Sequence, residues 1–161
     1  MFKTTHQFSA VTAVLPNATA RRVVDSVLAD QGTSALVWQA RGTLLHDTWW
    51  KRWVPPISPA KTMLQLLVPD PEVDHIVGTI VEHGRLHQQA TGAVFSTPCD
   101  HAYFGSQFHV SPPRTPAAAG GAAHRLTENL SVIYCIVDHQ LGDRVGKAAI
   151  DAGAHGPIVY Y

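Results

Sequence analysis

The stretch MLQLLVPDPEVDHIVGTIVEHGRLHQQATGAVF, residues 63–95, decides the fold of this chain. It opens with an apolar run, Met63 to Val68, which has the length and composition of a buried strand. The triplet Asp70-Pro71-Glu72 follows and predicts the start of a helix. In this interpretation Asp70 caps the helix, Pro71 suits the first turn, and Glu72 lies at the positive end of the helix dipole.

An apolar stripe predicts the body of this helix. Its residues follow the spacing i, i+3, i+4, i+7 and i+8, which places them on one helix face. Gly84 is expected to end the helix, and a short strand is expected over Ala93–Ser96. The Gly/Thr-containing loop between that helix and that strand is where we expect a ligand. The stripe consists of Val73, Ile76, Val77, Ile80 and Val81.

The chain before this stretch predicts a similar unit. We interpret Phe8–Leu15 as a strand, the apolar spacing between Val23 and Leu28 as a helix, and Ala35–Ala40 as a second strand. Two such units with an antiparallel return predict an α+β fold, a ferredoxin-like βαββαβ sandwich with a four-stranded sheet and two helices on one face.

The C-terminal part predicts one more strand, helix and strand. The first strand is expected over Leu130–Val137, and the last over Pro157–Tyr161. This order repeats that of Phe8–Ala40, so we predict an additional C-terminal βαβ half-repeat. The sequence leaves open whether the half-repeat packs within the chain or between chains. Between its strands, a helix face is expected from Leu141, Val145, Ala148 and Ala149, with Gly153 at its end.

These patterns divide the chain into three parts. Residues 1–97 form the predicted ferredoxin-like domain. Residues 98–128 are rich in Pro, Ala and Gly and have the composition of a linker. Residues 129–161 form the second, incomplete βαβ unit.

Composition excludes several classes of protein. The 161 residues carry a formal net charge of zero, which disfavours nucleic acid as a partner. No apolar run approaches the ~20 residues that span a bilayer, and the N-terminus lacks the apolar region of a signal peptide. Cys99 and Cys135 are far apart and form no Cys-x-x-Cys motif, which fits a reduced, cytoplasmic location.

Three parts of the deciding stretch carry a family resemblance: VPDPEVDHIVGTIV at residues 68–81, Arg85, and TGAVF at residues 91–95. Together they resemble the PII signal-transduction family, over roughly Phe8 to Thr97, with a first half of a second such unit at Leu130–Tyr161. The resemblance implies a ferredoxin-like fold of PII type, a homotrimer, and adenine-nucleotide binding in clefts between subunits. It also implies a long loop after the second strand that contacts a transporter or an enzyme.

The resemblance also implies site residues by position. Lys61 matches a lysine that meets the anionic ligand, and Gln65 matches an acidic residue near the nucleotide. Arg85 matches an arginine before the ligand loop, Gly92 matches the last glycine of that loop, and Ala93 stands where the family has a lysine. The predicted ligand-binding set, which includes the root of the long loop, is Arg41, Gly42, Thr43, Lys61, Gln65, Arg85, Leu86, Thr91, Gly92 and Ala93.

Residues 43–59 form the predicted long loop, because their prolines forbid a continuous helix or a central strand. Tryptophan and arginine are favoured anchors of protein interfaces, so we predict a partner-binding loop. The alternative is a lid that folds back onto its own trimer. The aromatic and basic residues concerned are Trp49, Trp50, Lys51, Arg52 and Trp53.

The function expected from these features is regulatory and not enzymatic, because no nucleophile–base set, phosphate-binding loop or pair of catalytic carboxylates is recognisable. No obligatory cofactor is expected; ATP, ADP or AMP is the candidate effector, and a transporter is a candidate partner. One alternative is a metal-binding or metal-tolerance protein, because Trp49-Trp50-Lys51 also resembles the CutA family and Cys99-Asp100-His101 groups three metal-ligand types. Another is an interaction scaffold without a ligand. We assign no residue to a metal site.

Overall fold

The computed structural model describes residues 8–31, 35–42, 60–88, 92–100, 130–138, 140–154 and 157–160. The elements follow in the order β1 (Phe8–Pro16), α1 (Asn17–Gln31), β2 (Ala35–Gly42), β3 (Ala60–Pro69), a 3₁₀ turn (Asp70–Glu72), α2 (Val73–Gly84), β4 (Ala93–Cys99), α3 (Gly142–Asp151) and β5 (Ile158–Tyr160).

The chain forms two compact units. The first comprises Met1–Trp38 and Thr62–His124, and the second comprises Gln39–Lys61 and Arg125–Tyr161. Residues 101–129, which contain most of the predicted linker, lie outside the described residues. The division at residues 97 and 128 therefore stays a prediction.

The first unit has the predicted ferredoxin-like arrangement. Its strands are ordered β4-β1-β3-β2, so β1 lies inside the sheet. β1 and β4 are antiparallel, in a register that pairs Phe8 with Cys99 and Val14 with Ala93. The two helices contact each other and pack on the sheet through one core, which confirms the βαββαβ fold class.

The apolar stripe of α2 is confirmed as the buried face of the helix. Ile76, Val77 and Ile80 are buried in the core, while Val73 and Val81 are partly buried against it. Burial of a side chain of this size stabilises the fold by about 1.5–3 kcal/mol relative to exposure. The stripe therefore fixes which side of α2 faces the sheet. The strand and helix residues that complete the core are Val11, Ala13, Leu15, Ala20, Val23, Val27, Leu64, Leu66 and Val68.

Asp70 does not cap the helix, contrary to the prediction. It lies within a 3₁₀ turn that follows Pro69, with Pro71 early in the turn, and neither this turn nor α2 has a side-chain cap. Its Oδ1 instead accepts a hydrogen bond from Ser9 Oγ at 2.8 Å. Because Asp70 is inside the turn and not before it, its carboxylate ties the turn to the start of β1.

The last strand of the first unit is longer than predicted. The expected Ala93–Ser96 segment is confirmed, but β4 continues through Pro98 to Cys99. Proline lacks the N–H needed by a central strand and is tolerated at a sheet edge. β4 is such an edge strand in the described sheet, which explains why Pro98 does not end it.

The second unit contains α3 and the short strand β5. β5 is antiparallel to the end of β2, with Ala40 paired to Tyr160 and Gly42 paired to Ile158. In α3 the buried positions are Gly142 and Gly146. The predicted face is therefore only partly right, since Leu141 and Ala148 are exposed.

Glycine at position 142 allows α3 to approach β5 closely. A Cβ at Gly142 would lie 2.8 Å from Val159 Cγ1, nearer than real Cβ contacts occur. The small residue, and not a large apolar one, therefore makes this contact.

The predicted strand Leu130–Val137 is wrong. Residues 130–138 have no regular secondary structure, and Leu130, Ile133 and Ile136 are 75%, 81% and 100% exposed. A strand needs a hydrogen-bonded neighbour, and none is formed with the described strands. The helix and the final strand are present, but the half-repeat as a whole is not confirmed.

None of the helices in the described ranges has the length and apolar character required to cross a membrane.

Candidate functional site

The site begins where α2 ends. Arg85 follows Gly84 in the left-handed conformation, with φ 53° and ψ 41°. Its N–H donates to the carbonyl of Glu82 at 3.2 Å, and the N–H of Leu86 donates to the carbonyl of Val81 at 3.0 Å. These two bonds form a Schellman motif, which usually has glycine at the left-handed position. The helix therefore ends at Gly84 as predicted, but Arg85 is the residue that adopts the unfavourable conformation.

Leu86 fixes the first end of the predicted ligand loop. Its side chain is partly buried against the core, at contact distance from Gly84, and the N–H of Gln88 donates to the carbonyl of Arg85 at 3.1 Å. Arg85 itself is exposed. The backbone at the loop's origin is thus held by hydrogen bonds and by one apolar anchor, while the guanidinium lies at the surface.

Gly92 fixes the other end of the loop. Its φ is +149°, a region that L side chains rarely adopt, and an added Cβ would overlap the carbonyl oxygen of Val14. The same Cβ would lie 3.3 Å from Leu86 Cδ2. The two ends of the loop are therefore adjacent, and only glycine fits at the second one. Ala93 follows as the first residue of β4, paired with Val14.

Gln65 lies on β3 in the same unit. It is half-buried, and its Nε2 donates to Thr12 Oγ1 over a long 3.4 Å. Thr12 is buried. A hydrogen bond of this length is weak, so it holds the Gln65 amide only loosely.

The second unit contains three further residues of the predicted set. Lys61, near the start of β3, is half-buried, and burial lowers the pKa of its ammonium group from the ordinary value of 10.5. Arg41 is exposed at the end of β2 and pairs with Val159. Gly42 pairs with Ile158.

The first unit thus brings together Arg85, Leu86, Gly92 and Ala93 at one loop. The predictions for Thr43 and Thr91, and for the aromatic and basic residues of the long loop, lie outside the described residues. Val14, whose backbone carbonyl excludes a side chain at position 92, is not among the residues predicted from the sequence. In the sequence, only a glycine directly before a predicted strand could have indicated that another backbone group lies this close.

No protein-family model matches the chain, and no curated protein matches it. Among solved structures, the structure of this chain is similar to the crystal structure of Arabidopsis thaliana PII bound to citrate. The two chains are 19% identical, the match covers 58% of this chain and 78% of that one, and the TM-score is 0.46.

The loop's chemistry suits an anion more than a metal ion. An exposed guanidinium offers planar, permanently charged donors that match carboxylate and phosphate oxygens. Within the described ranges, no three side chains of His, Cys, Asp or Glu come together as a metal-binding group. Cys99 and Asp100 are described, whereas His101, the third residue of the candidate metal triplet, is not.

Proposed function

We propose that this protein is a PII-like regulator. In this proposal three copies associate, and a small anionic effector, with an adenine nucleotide as the favoured class, binds in a cleft between subunits. Binding changes how the loop of residues 43–59 fits a partner protein, such as a transporter. The observation that carries the proposal is the strained Arg85 at the fixed origin of the loop that ends at Gly92.

The strain at Arg85 supports a role in binding. A non-glycine residue in the left-handed region costs about 1–2 kcal/mol, and glycine would avoid most of this cost. Such strained positions cluster at ligand-binding and switch regions. Arginine at this position of the Schellman motif does not stabilise the backbone relative to glycine. A charged contact with an effector is a physical reason to keep it.

The fixed positions of the two ends of the loop also support the proposal. Leu86 and Gly92 lie next to each other in space although five residues separate them in the sequence. The Val14 carbonyl fills the space that a side chain at position 92 would occupy, and this close contact holds the end of the loop against β1. Arg85 then supplies the positive charge, and charge-assisted contacts of this kind contribute about 1.5–3 kcal/mol.

A thermal-shift panel with ATP, ADP, AMP and cyclic AMP tests the effector. We expect at least one of them to raise the melting temperature of the wild type in a concentration-dependent way, because a ligand that binds only the folded state stabilises it. Arg85→Ala should require at least about tenfold more nucleotide for the same shift, since one charge-assisted contact contributes about 1.5–3 kcal/mol. Arg22→Ala is the matched control, since Arg22 is exposed on α1 of the same unit, and it should keep the shift. Equal shifts in both variants would contradict the proposed role of Arg85.

Tryptophan fluorescence tests the long loop separately. The chain has four tryptophans, so replacing the three of the loop by phenylalanine leaves Trp38 as the only reporter. We expect the effector to change the emission of the wild type but not that of the triple variant, because the effector must favour one loop state over another. An unchanged response in the triple variant would contradict a switch in this loop. The three loop tryptophans are Trp49, Trp50 and Trp53.

A further inference from the structure

The segment Leu130–Val137, called here the apolar segment, has more exposed large hydrophobic residues than any other part of the described chain. Six of the eleven large hydrophobic residues that are exposed in the described ranges belong to it. Single exposed apolar residues are normal, but a contiguous run of them marks an interaction site. The six are Leu130, Val132, Ile133, Tyr134, Ile136 and Val137.

The composition of the apolar segment is that of a strand. Its sequence is LSVIYCIV, with four β-branched residues and one tyrosine and no charged residue. Such residues favour a pleated, half-buried surface. Nevertheless, the segment is not hydrogen-bonded as a strand to any of the described strands. A backbone of this composition gains hydrogen bonds and apolar burial when it meets an open sheet edge.

β4 provides an edge of matching length. It spans seven residues, Ala93–Cys99, and β1 is its only hydrogen-bonded neighbour among the described strands. The other end strand, β5, has only three residues and is too short to hold the whole segment. Natural edge strands are protected by charged residues or by proline. β4 contains no charged residue, and its one proline, Pro98, is next to its end, so five residues before it can still pair. Both the segment and this edge therefore lack the charges that prevent edge-to-edge pairing.

We propose that the apolar segment of one copy pairs as a strand with the outer edge of β4 in a second copy. Each chain supplies one donor segment and one acceptor edge, so the contact is of the head-to-tail type. Contacts of this type close into rings when the rotation between copies allows it, and a ring of three matches the proposed trimer. The pairing itself goes beyond the proposed effector binding and does not depend on it.

The two cysteines of the chain provide a direct test. Cys99 is the last residue of β4, and Cys135 lies inside the segment. Strands rise about 3.3 Å per residue and lie about 4.8 Å apart, so pairing in either direction brings these thiols within roughly 15–20 Å. A bis-maleimide of that span can join them. Cys99→Ser and Cys135→Ser leave one thiol per chain, so a mixture can form a 99–135 link only between two different chains.

The two variants, one of them isotope-labelled, are refolded together as full chains, cross-linked and identified by peptide mass. We expect a 99–135 link between a labelled and an unlabelled chain. Adding Ile133→Lys and Ile136→Lys should lower its yield on the order of tenfold, because lysine blocks strand pairing at an edge. Ala148→Lys together with Ala152→Lys, two exposed residues at the end of α3, is the charge-matched control and should preserve the link.

Two results would contradict the proposed strand pairing. A 99–135 link that forms only within single wild-type chains and never in the mixture would overturn the proposal. So would an unchanged yield with the two lysines. Because Ile133 and Ile136 are exposed, their replacement should leave the thermal unfolding of the single chain unchanged, and that measurement verifies that the variants fold. Nucleotide shifts recorded on the same samples report effector binding independently.

Discussion

Replacing Arg85 by glycine should relieve the backbone strain at this position while it removes a residue of the proposed effector site. Arg85 has φ 53° and ψ 41°, and both Schellman hydrogen bonds involve backbone groups that remain in any variant. Glycine adopts this conformation about as readily as its mirror image, whereas residues with a Cβ cost about 1–2 kcal/mol. Because either replacement also removes the guanidinium, glycine must be compared with alanine and not with arginine.

The comparison of Arg85→Gly with Arg85→Ala isolates the backbone cost. Both variants remove the guanidinium and its contacts, and they differ only in the Cβ. We expect Arg85→Gly to exceed Arg85→Ala in free energy of unfolding by about 1 kcal/mol, after the larger chain entropy of glycine in the unfolded state is subtracted. For a chain of this size, that difference raises the melting temperature by about 2–4 °C.

Urea unfolding followed by circular dichroism measures the difference, with equal m-values as the check that only the native state changed. Equal stabilities, or a less stable glycine variant, would refute a strained conformation at position 85. The physical case for Arg85 as a retained functional residue would then be lost.

Three further substitutions test other parts of the fold. Gly92→Ala should cost about 2–4 kcal/mol in urea unfolding, because it combines a strained φ with an overlap between the added Cβ and the Val14 carbonyl oxygen, whereas Gly78→Ala, with open space around the added Cβ, should be neutral or stabilising by up to about 1 kcal/mol; equal effects would contradict this. Ile80→Ala should cost about 2–5 kcal/mol by the same assay, since Ile80 is fully buried, and a loss under about 1 kcal/mol would mean that α2 does not pack as described. The Lys61 pKa is lowered by burial, so the unfolded chain binds more protons and stability should rise with pH between the lowered native pKa and 10.5; Lys61→Gln should remove that rise, and an identical pH profile would contradict it.

The helix α2 could be predicted because its information is local. The stripe from Val73 to Val81 has the period of a helix, and the structure buries that face. Pro98, by contrast, ends a strand by local rules but is accepted in β4 because the strand lies at an edge. Which strand lies at an edge depends on the topology, and a local pattern does not contain it.

The apolar segment shows the same limit from the other side. Residues 130–137 have strong strand propensity, yet they are exposed and form no strand. Propensity for strands largely reflects packing against neighbouring strands, so it cannot be realised without an available edge. The sequence therefore predicts the strand propensity of this segment, but it does not predict whether a neighbouring strand is available to pair with it.

For the candidate site, the sequence predicts which residues belong to it, and that prediction is untested; it does not predict their backbone conformations. Position alone indicated Arg85 and Gly92 through the resemblance. The left-handed backbone of Arg85 could not be inferred, because Gly84 next to it is the residue that usually takes such a conformation. The requirement for glycine at position 92 comes from the Val14 carbonyl, which is distant in sequence.

Calorimetric titration of the purified protein with ATP, ADP and AMP tests the proposed regulator most directly. The account predicts saturable heat with at least one nucleotide, at one site per chain, and an affinity at least about tenfold weaker in Arg85→Ala, since one charge-assisted contact contributes about 1.5–3 kcal/mol. Arg22→Ala should bind like the wild type. The absence of binding heat with all three nucleotides at several temperatures, or equal affinities in the two variants, would contradict the account.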